Sequence, residues 1–260
     1  MTRTRRRASL DLFGPVRTGR AVDAVVEQIV DLINAGRLEV DELLPGERGL
    51  AAAMDVSRGT IRDAVEQLSQ AKVVAVSPGP SGGIQVVSIW VPDALTLDQT
   101  PIAADRVFEL LEARRVIEMR VAQLAGLRGT DGDFRIMAET IQLQRENAHD
   151  GERLSKANAR FHRQLWRAGA NEELELSMRS IYRRLGGAFE TALQRDVDAH
   201  DAGVGIDLHD ETLDAIRRGD SEQIALVMDR HLAYLETRCE AVHGRARIRQ
   251  VPAFLIGAGD

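Results

Sequence analysis

The chain has 260 residues, 44% of them hydrophobic and 28% charged, with a formal net charge of −6; this is globular composition at a length that suits two domains. Aromatics at 4% argue against a stacking-rich binder of single strands, and the single cysteine, Cys239, excludes a disulfide framework and a cysteine-based zinc finger. Residues 1–92 are neutral overall, so the whole −6 lies beyond them, and a local basic face in the first part can still bind phosphate. No apolar run approaches the roughly 20 residues of a membrane helix. The basic start lacks the apolar segment of a secretory signal, so a soluble, cytoplasmic protein is expected.

In chain order, Arg3, Arg5, Arg6 and Arg7 open a basic tail over 1–17, read as solvated or as an arm for phosphate. Val22, Val25, Val26, Ile29, Val30 and Ile33 have helical spacing, and Gly36 stops that helix. Leu43-Leu44-Pro45-Gly46 reads as a turn. Glu47 to Met54 is a short helix. Asp55-Val56 connects it to Ser57, a good N-cap for a helix reaching about Gln70. Val73–Val76 and Ile84–Val87 flank a Gly/Pro-rich loop and read as a hairpin. A linker is expected over 91–101. Six helices follow, near 103–127, 131–149, 152–168, 172–195, 205–218 and 221–242, separated by Gly, Asn and Asp. The expected fold is mainly α: a winged helix-turn-helix over 18–90 and an antiparallel helical bundle over 102–243. A tail over 244–260 follows, which Phe254, Leu255 and Ile256 could dock.

In the helix-turn-helix reading, the second helix enters the major groove, so its first turn needs donors and its far face must be apolar. Ser57-Arg58-Gly59-Thr60-Ile61-Arg62 meets that need. Arg58 and Arg62 are four apart and share a face, and arginine suits both guanine edges and phosphate. Arg48 is placed to reach the same backbone. Arginines four apart are also common on solvated helices.

Three ordered stretches carry more weight: Leu44-Pro45-Gly46-Glu47-Arg48, then Val56 to Val65, then Gly79-Pro80-Ser81-Gly82-Gly83-Ile84. Together they resemble the DNA-binding domain of GntR-family bacterial transcription regulators over about residues 20–88. The resemblance implies operator contacts by Arg48, Arg58 and Arg62, with Ser57 and Thr60 beside them. It also implies a wing tip whose Gly82 and Gly83 let backbone approach the minor groove. This chain departs from the pattern at Gly59, where threonine is usual. Ala71-Lys72 stands where a small-Gly turn is usual, and Ser77-Pro78 where a basic residue is frequent.

In the bundle, Asn158 and His162 are four apart on one helix, and His209 and His231 lie on two later helices. Three neutral imidazoles can hold a divalent ion, although each taken alone reads first as an ordinary helix-surface or partly buried residue. His149, His200 and His243 take the ordinary reading. The ordered set Leu111 to Glu118, Asn158-x-x-Phe161-His162, Ala168-Gly169-Ala170-Asn171, His209-x-x-x-x-Asp214 and Met228-x-x-His231 resembles the FCD effector-binding domain of the FadR subgroup. The resemblance implies a divalent metal, zinc or nickel, at Asn158, His162, His209 and His231. Asn158 stands where aspartate is usual, so the site brings no ligand charge. A small carboxylate effector is implied as well, and Arg114 is either its partner or part of a surface or interface salt bridge.

The expected function is a sequence-specific regulator, a homodimer on a palindromic double-stranded operator, controlled by a small carboxylate, with no membrane partner. A metal-dependent enzyme using the histidines is the alternative, though no general base stands at a matching spacing. A winged-helix module for protein partners is the third reading, and the exposed arginines oppose it.

Overall fold

The computed structural model describes residues 7–15, 21–79, 82–92, 95, 102–194 and 199–243. Arg3, Arg5 and Arg6, most of the 91–101 stretch and the 244–260 tail lie outside the described residues. The chain divides into two compact units, Met1–Thr96 and Leu97–Asp260.

In the first unit, α1 (Ala21–Asn34) buries Val25, Val26, Ile29, Val30, Leu32 and Ile33. α2 (Glu47–Met54) adds Leu50, Ala51 and Met54 to the same core, and α3 (Arg58–Gln70) adds Ile61, Ala64, Val65 and Leu68. Asp55 turns the chain between α2 and α3 in a left-handed conformation, which a short polar side chain tolerates. β1 (Val74–Ser77) and β2 (Gly83–Val86) pair antiparallel, Val74 opposite Val86 and Ser77 opposite Gly83.

Two segments differ from the sequence reading. Leu43 and Leu44 do not form a turn; both are buried, and Leu44 N–H donates to Ile84 C=O at 2.8 Å. Arg7 to Phe13 pack on the folded unit, although the sequence read them as part of a solvated tail or an arm for phosphate. Arg7 bridges to Leu43, Ala8 N–H donates to Leu43 C=O at 2.7 Å, and Ala8 and Phe13 enter the core. Gln28 of α1 holds Gly14 through both its backbone groups, at 3.3 and 3.2 Å. Two buried side chains and one bridge leave no periodic pattern, so hydropathy spacing cannot reveal such a segment. Val91, at the start of the expected linker, also packs in this core.

The second unit is all helix among the described residues. Its elements are α4 (Ala104–Arg128), α5 (Asp131–Glu146), α6 (Gly151–Ala168), α7 (Glu172–Gln194), α8 (Ala199–Arg218) and α9 (Ser221–His243). Thr130 and Asp133 form a capping box at α5, and Asp150 caps α6, so polar residues in the connections start the helices. α7 breaks at Gly186, where the sequence suggested one continuous helix. α8 begins six residues earlier than its apolar spacing implied, because Gly203 and Gly205 dilute the pattern.

Phe161, Leu165 and Trp166 of α6 pack with Met119 of α4, Met137 and Ile141 of α5, Leu213 and Ile216 of α8 and Met228 of α9. A buried ion pair ties α4 to α9. Arg115 Nε and Nη2 donate to the two oxygens of Glu236 at 3.0 and 2.8 Å, and Nη1 donates to Asp229. The Cys239 thiol is buried in this core, which pushes its pKa up to about 11; it behaves as a small apolar group.

Candidate functional site

Two constellations stand out, one in each unit. In the first, the Ser57 hydroxyl accepts from Thr60 N–H at 3.0 Å and lies 2.9 Å from the Thr60 hydroxyl. The Ser57 side chain therefore caps the start of α3, and the Thr60 hydroxyl bonds to it. Arg58 and Arg62 project from the same turn and are largely exposed. A single oxygen of Glu47 lies 3.7 Å from Arg58 and 3.6 Å from Arg62. That carboxylate holds both guanidiniums on one face without burying either. Arg48 is exposed beside Glu47.

In the wing, Gly82 N–H donates to Gly79 C=O at 3.0 Å. A Cβ at Gly82 would lie 2.1 Å from Ser77 C=O, so only glycine fits that bend, and Gly83 has φ +147. A Cβ at Gly59 would meet the Ser57 hydroxyl oxygen at 3.5 Å, an ordinary contact, so no contact of the fold demands glycine there. In the family's pattern threonine fills that position.

The second constellation is buried. His162 of α6, His209 of α8 and His231 of α9 offer nitrogens that all lie within 4.8 Å of one another. They line a cavity of about 20 Å³ together with Arg114 of α4, Asn158 of α6 and Tyr234 of α9. The structure thus brings together all five residues that the sequence nominated in this unit. Arg114 is buried, so it is not a surface salt bridge, yet it does have an anionic partner. Its Nε donates to Glu118 at 2.6 Å.

The partners of the histidines decide what the cluster can do. The Nδ1 atoms of His162, His209 and His231 lie 2.7 Å from Glu118 Oε1, 2.7 Å from Gln144 Oε1 and 3.1 Å from the Thr212 hydroxyl. That hydroxyl already donates to Leu208 C=O, so toward His231 it accepts. Glu118 and the Gln144 oxygen also accept. All three rings therefore carry their proton on Nδ1 and keep the Nε2 lone pair, the tautomer of a metal ligand. His209 Nε2 is buried with no partner in the protein. The His162 lone pair faces Arg114 Nη2 at 3.3 Å.

Burial pushes the pKa of all three histidines down, and well down for His209 and His231, where the neighbouring imidazoles and Arg114 add to it; at His162 the Glu118 carboxylate opposes the shift. Neutral rings are what a metal needs. Burial alone would raise the pKa of Glu118. Arg114, His162 and the hydrogen bonds from His162 and Trp166 outweigh that and hold it well below the usual carboxylate range. The residues fit a divalent cation: three neutral imidazoles, an amide oxygen at Asn158 and one orphaned lone pair. One expectation needs amending. The cluster does contain a negative charge, Glu118, but Arg114 cancels it, so a bound cation would still draw in an anion.

Glu118, Trp166, Gln144 and Thr212 were not singled out by sequence reasoning. The available signal was α4 itself. Val107, Leu110, Leu111, Met119, Val121, Ala122 and Ala125 are buried over much of its circumference, which marks a central helix whose polar residues face partners rather than water.

Comparison with known families decides the kinship. Residues 21–84 match the model of bacterial regulatory proteins of the gntR family, and residues 109–234 match the FCD domain. The provisionally named L-lactate dehydrogenase operon regulatory protein of Escherichia coli K12 is 30% identical over 246 residues, covering 90% of this chain and 93% of that one. The chain belongs to the GntR family and carries an FCD domain.

The Exu regulon transcriptional regulator of Escherichia coli K12 is 29% identical, with 82% of each chain covered. The solved structure of E. coli McbR/YncC shares the fold, with a TM-score of 0.50 at 16% identity over 85% of this chain and 99% of the other. This GntR-family protein is thus a transcription regulator, mainly helical, with a winged helix-turn-helix followed by a helical FCD domain. Its named relatives are regulators, and nothing in their company favours the metalloenzyme alternative. No described helix is long and apolar enough to cross a membrane.

Proposed function

We propose that this protein is a cytoplasmic regulator of the FadR subgroup that binds a palindromic double-stranded operator as a homodimer and responds to a small carboxylate. Arg58 and Arg62 enter the major groove at the start of α3, Arg48 clamps phosphate, and Ser57 and Thr60 lie beside the same backbone. Gly82 and Gly83 bring the wing backbone close to the minor groove. His162, His209, His231 and Asn158 would hold a divalent transition metal, zinc or nickel. Bound there, such an ion supplies a Lewis-acidic positive charge for an anionic ligand. Arg114 adds a second positive partner for the carboxylate.

One observation carries this reading: three buried imidazoles, each with Nδ1 satisfied by an acceptor, line one cavity with Arg114 and Asn158, where Arg114 meets the His162 Nε2 and the His209 Nε2 has no partner in the protein. A buried structural histidine also needs an acceptor for its N–H, but it gains nothing from leaving its other nitrogen without a partner, as His209 does. The effector regulates only if it binds two arrangements of the protein with different affinity. The test is elemental analysis of purified protein, then calorimetry of zinc and nickel on chelator-stripped protein. About one equivalent of bound metal per chain is expected, and lost when His209 is replaced by alanine. Uptake by His209→Ala equal to the parent's would remove the metal from the mechanism.

A further inference from the structure

A second cavity, about 40 Å³, adjoins the histidine cavity. Asn158, Gly205, His209 and Tyr234 line both, and Gln144, Ser155 and Arg238 join the lining of the larger one. Gly205 lies against the Tyr234 ring, where a Cβ would meet it at 3.2 Å. A larger residue there would press on the wall the two cavities share. A space of this size holds on the order of three water-sized groups.

Gln144 is buried at 1% exposure, and only half of its amide is used. Its Oε1 lies 2.7 Å from His209 Nδ1, and its Nε2 is buried with no partner in the protein. The structure turns the amide oxygen toward the ring, the orientation that the metal-binding tautomer of His209 requires. A ring that keeps its lone pair on Nε2 carries its proton on Nδ1, and that proton needs the oxygen. The amide nitrogen must then face away from the ring, from a residue that lines the larger cavity. Burying an N–H without an acceptor is costly, so an empty pocket is a poor reason for such a residue.

We propose that Gln144 is an effector-binding residue whose Nε2 donates to a second acceptor oxygen of the ligand, and that the effector is a short acid of about three or four carbons bearing a keto or second carboxylate oxygen. This rests on the reading that the ligand's first carboxylate is held at the histidine site. The small volumes set the length. The acceptor character follows from the lining, because Gln144 Nε2 and the Arg238 guanidinium can only donate. Arg238 packs over the Tyr234 ring and donates to its hydroxyl at 3.2 Å, which holds its charge at the cavity wall. That charge favours a second carboxylate over a neutral carbonyl. Through its other end, Gln144 connects ligand recognition to the orientation of His209.

The experiment is calorimetry on the full-length, zinc-loaded protein with propionate, pyruvate and malonate, while zinc affinity is read separately by competition with a chromophoric chelator. Pyruvate and malonate should bind at least about tenfold tighter than propionate, because only they satisfy the amide. Gln144→Glu keeps an oxygen for His209 but replaces the donor with an anion. It should retain zinc, bring pyruvate to within about twofold of propionate and bind malonate more weakly than propionate. Arg238→Gln should weaken malonate and leave pyruvate unchanged.

Equal affinity of the parent protein for all three acids would overturn this inference alone, as would a pyruvate preference that survives in Gln144→Glu, since chelation of the metal would then explain it. A protein that takes up no zinc, or that takes up zinc and binds none of the acids, would overturn the histidine-site reading and this inference with it.

Discussion

The two units use arginine in opposite ways. Arg58 and Arg62 are 63% and 65% exposed, and one carboxylate oxygen of Glu47 serves both at more than 3.5 Å. Arg114 and Arg115 are 3% and 6% exposed, and each has a carboxylate in direct hydrogen-bonded contact. An exposed guanidinium keeps its water and gains little from Glu47, so exchanging that partner for a phosphate is inexpensive. A buried one has lost its water and depends on its carboxylate. The first arrangement suits reversible binding of a polyanion, and the second suits a fixed cavity. Each prediction below perturbs one side of this contrast.

The largest effect is expected at Glu118, which serves Arg114, His162 and Trp166 together. Glu118→Gln leaves Arg114 without its carboxylate in a dry site and should destabilise the second unit by about 3–5 kcal/mol, read by denaturant unfolding. It should also weaken metal affinity about 10–100-fold, because the partner that orients His162 loses its charge. A loss under 1 kcal/mol would mean that water or another group supports Arg114, and the contrast between the units would fail.

Acid should act on the same site with a sign that can be worked out. Burial depresses the folded pKa of His209 and His231 below the unfolded value of about 6.5. As pH falls through 6.5, the unfolded chain gains protons that the folded chain refuses, so stability is lost. Metal-free protein should therefore lose stability as pH falls from 7.5 to 5.5, up to about 1.4 kcal/mol for a ring that stays neutral over the whole interval. Glu118, depressed in the folded state, contributes stability above the ordinary carboxylate range that is lost only at lower pH. The two windows separate in a series of thermal melts. A metal bound only to the folded state should raise stability throughout without flattening the first window, because the folded rings already refuse those protons and the unfolded chain still gains them.

On the exposed side, Arg62→Ala should weaken operator binding by about 1–3 kcal/mol if Arg62 reads a base. If it touches phosphate only, specific and non-specific binding should fall together and the salt slope should lose about one unit. Gel shifts over a salt series distinguish these outcomes. Folding stability should barely move, in contrast to Glu118→Gln. Full operator affinity in the Arg58→Ala/Arg62→Ala double mutant would break the docking of α3.

How far the sequence speaks follows the same division. The start of α3 was legible because its cap, its arginines and its apolar face are all local. The three histidines and Asn158 were legible as an ordered set, although the sequence could not show that they share a cavity. Their supporting acceptors were not legible. Arg114 and Glu118 are an i, i+4 pair, and so are Arg135 and Glu139, yet the first is buried and the second exposed. Spacing is the same for both, and only the packing around α4 separates them. Gln144 and Thr212 carry no spacing signal, because their partners lie 65 and 19 residues away. The docking of Arg7 to Phe13 depends on Leu43 and Gln28, which are equally remote.

The smallest effect is expected at the end of α3, where this chain departs from the family's turn. Lys72 adopts φ +58, its N–H donates to Ser69 C=O at 3.0 Å, and Val73 N–H donates to Leu68 C=O at 2.9 Å. That is the capping turn in which glycine is favoured, because a Cβ is strained at positive φ. α1 ends in the same way with Gly36 at φ 62 in the equivalent place. Lys72→Gly should therefore stabilise the first unit by about 0.5–1 kcal/mol, after a small opposing loss from the freer unfolded chain. Chemical denaturation of the full chain, followed through the transition of the first unit, reads it. If lysine is kept there for phosphate, the same substitution will lower non-specific DNA affinity and reduce the salt slope by up to one unit. A stabilised protein with unchanged DNA binding would assign Lys72 to neither fold nor function. A destabilised one would mean that its side chain makes a contact that outweighs the backbone strain.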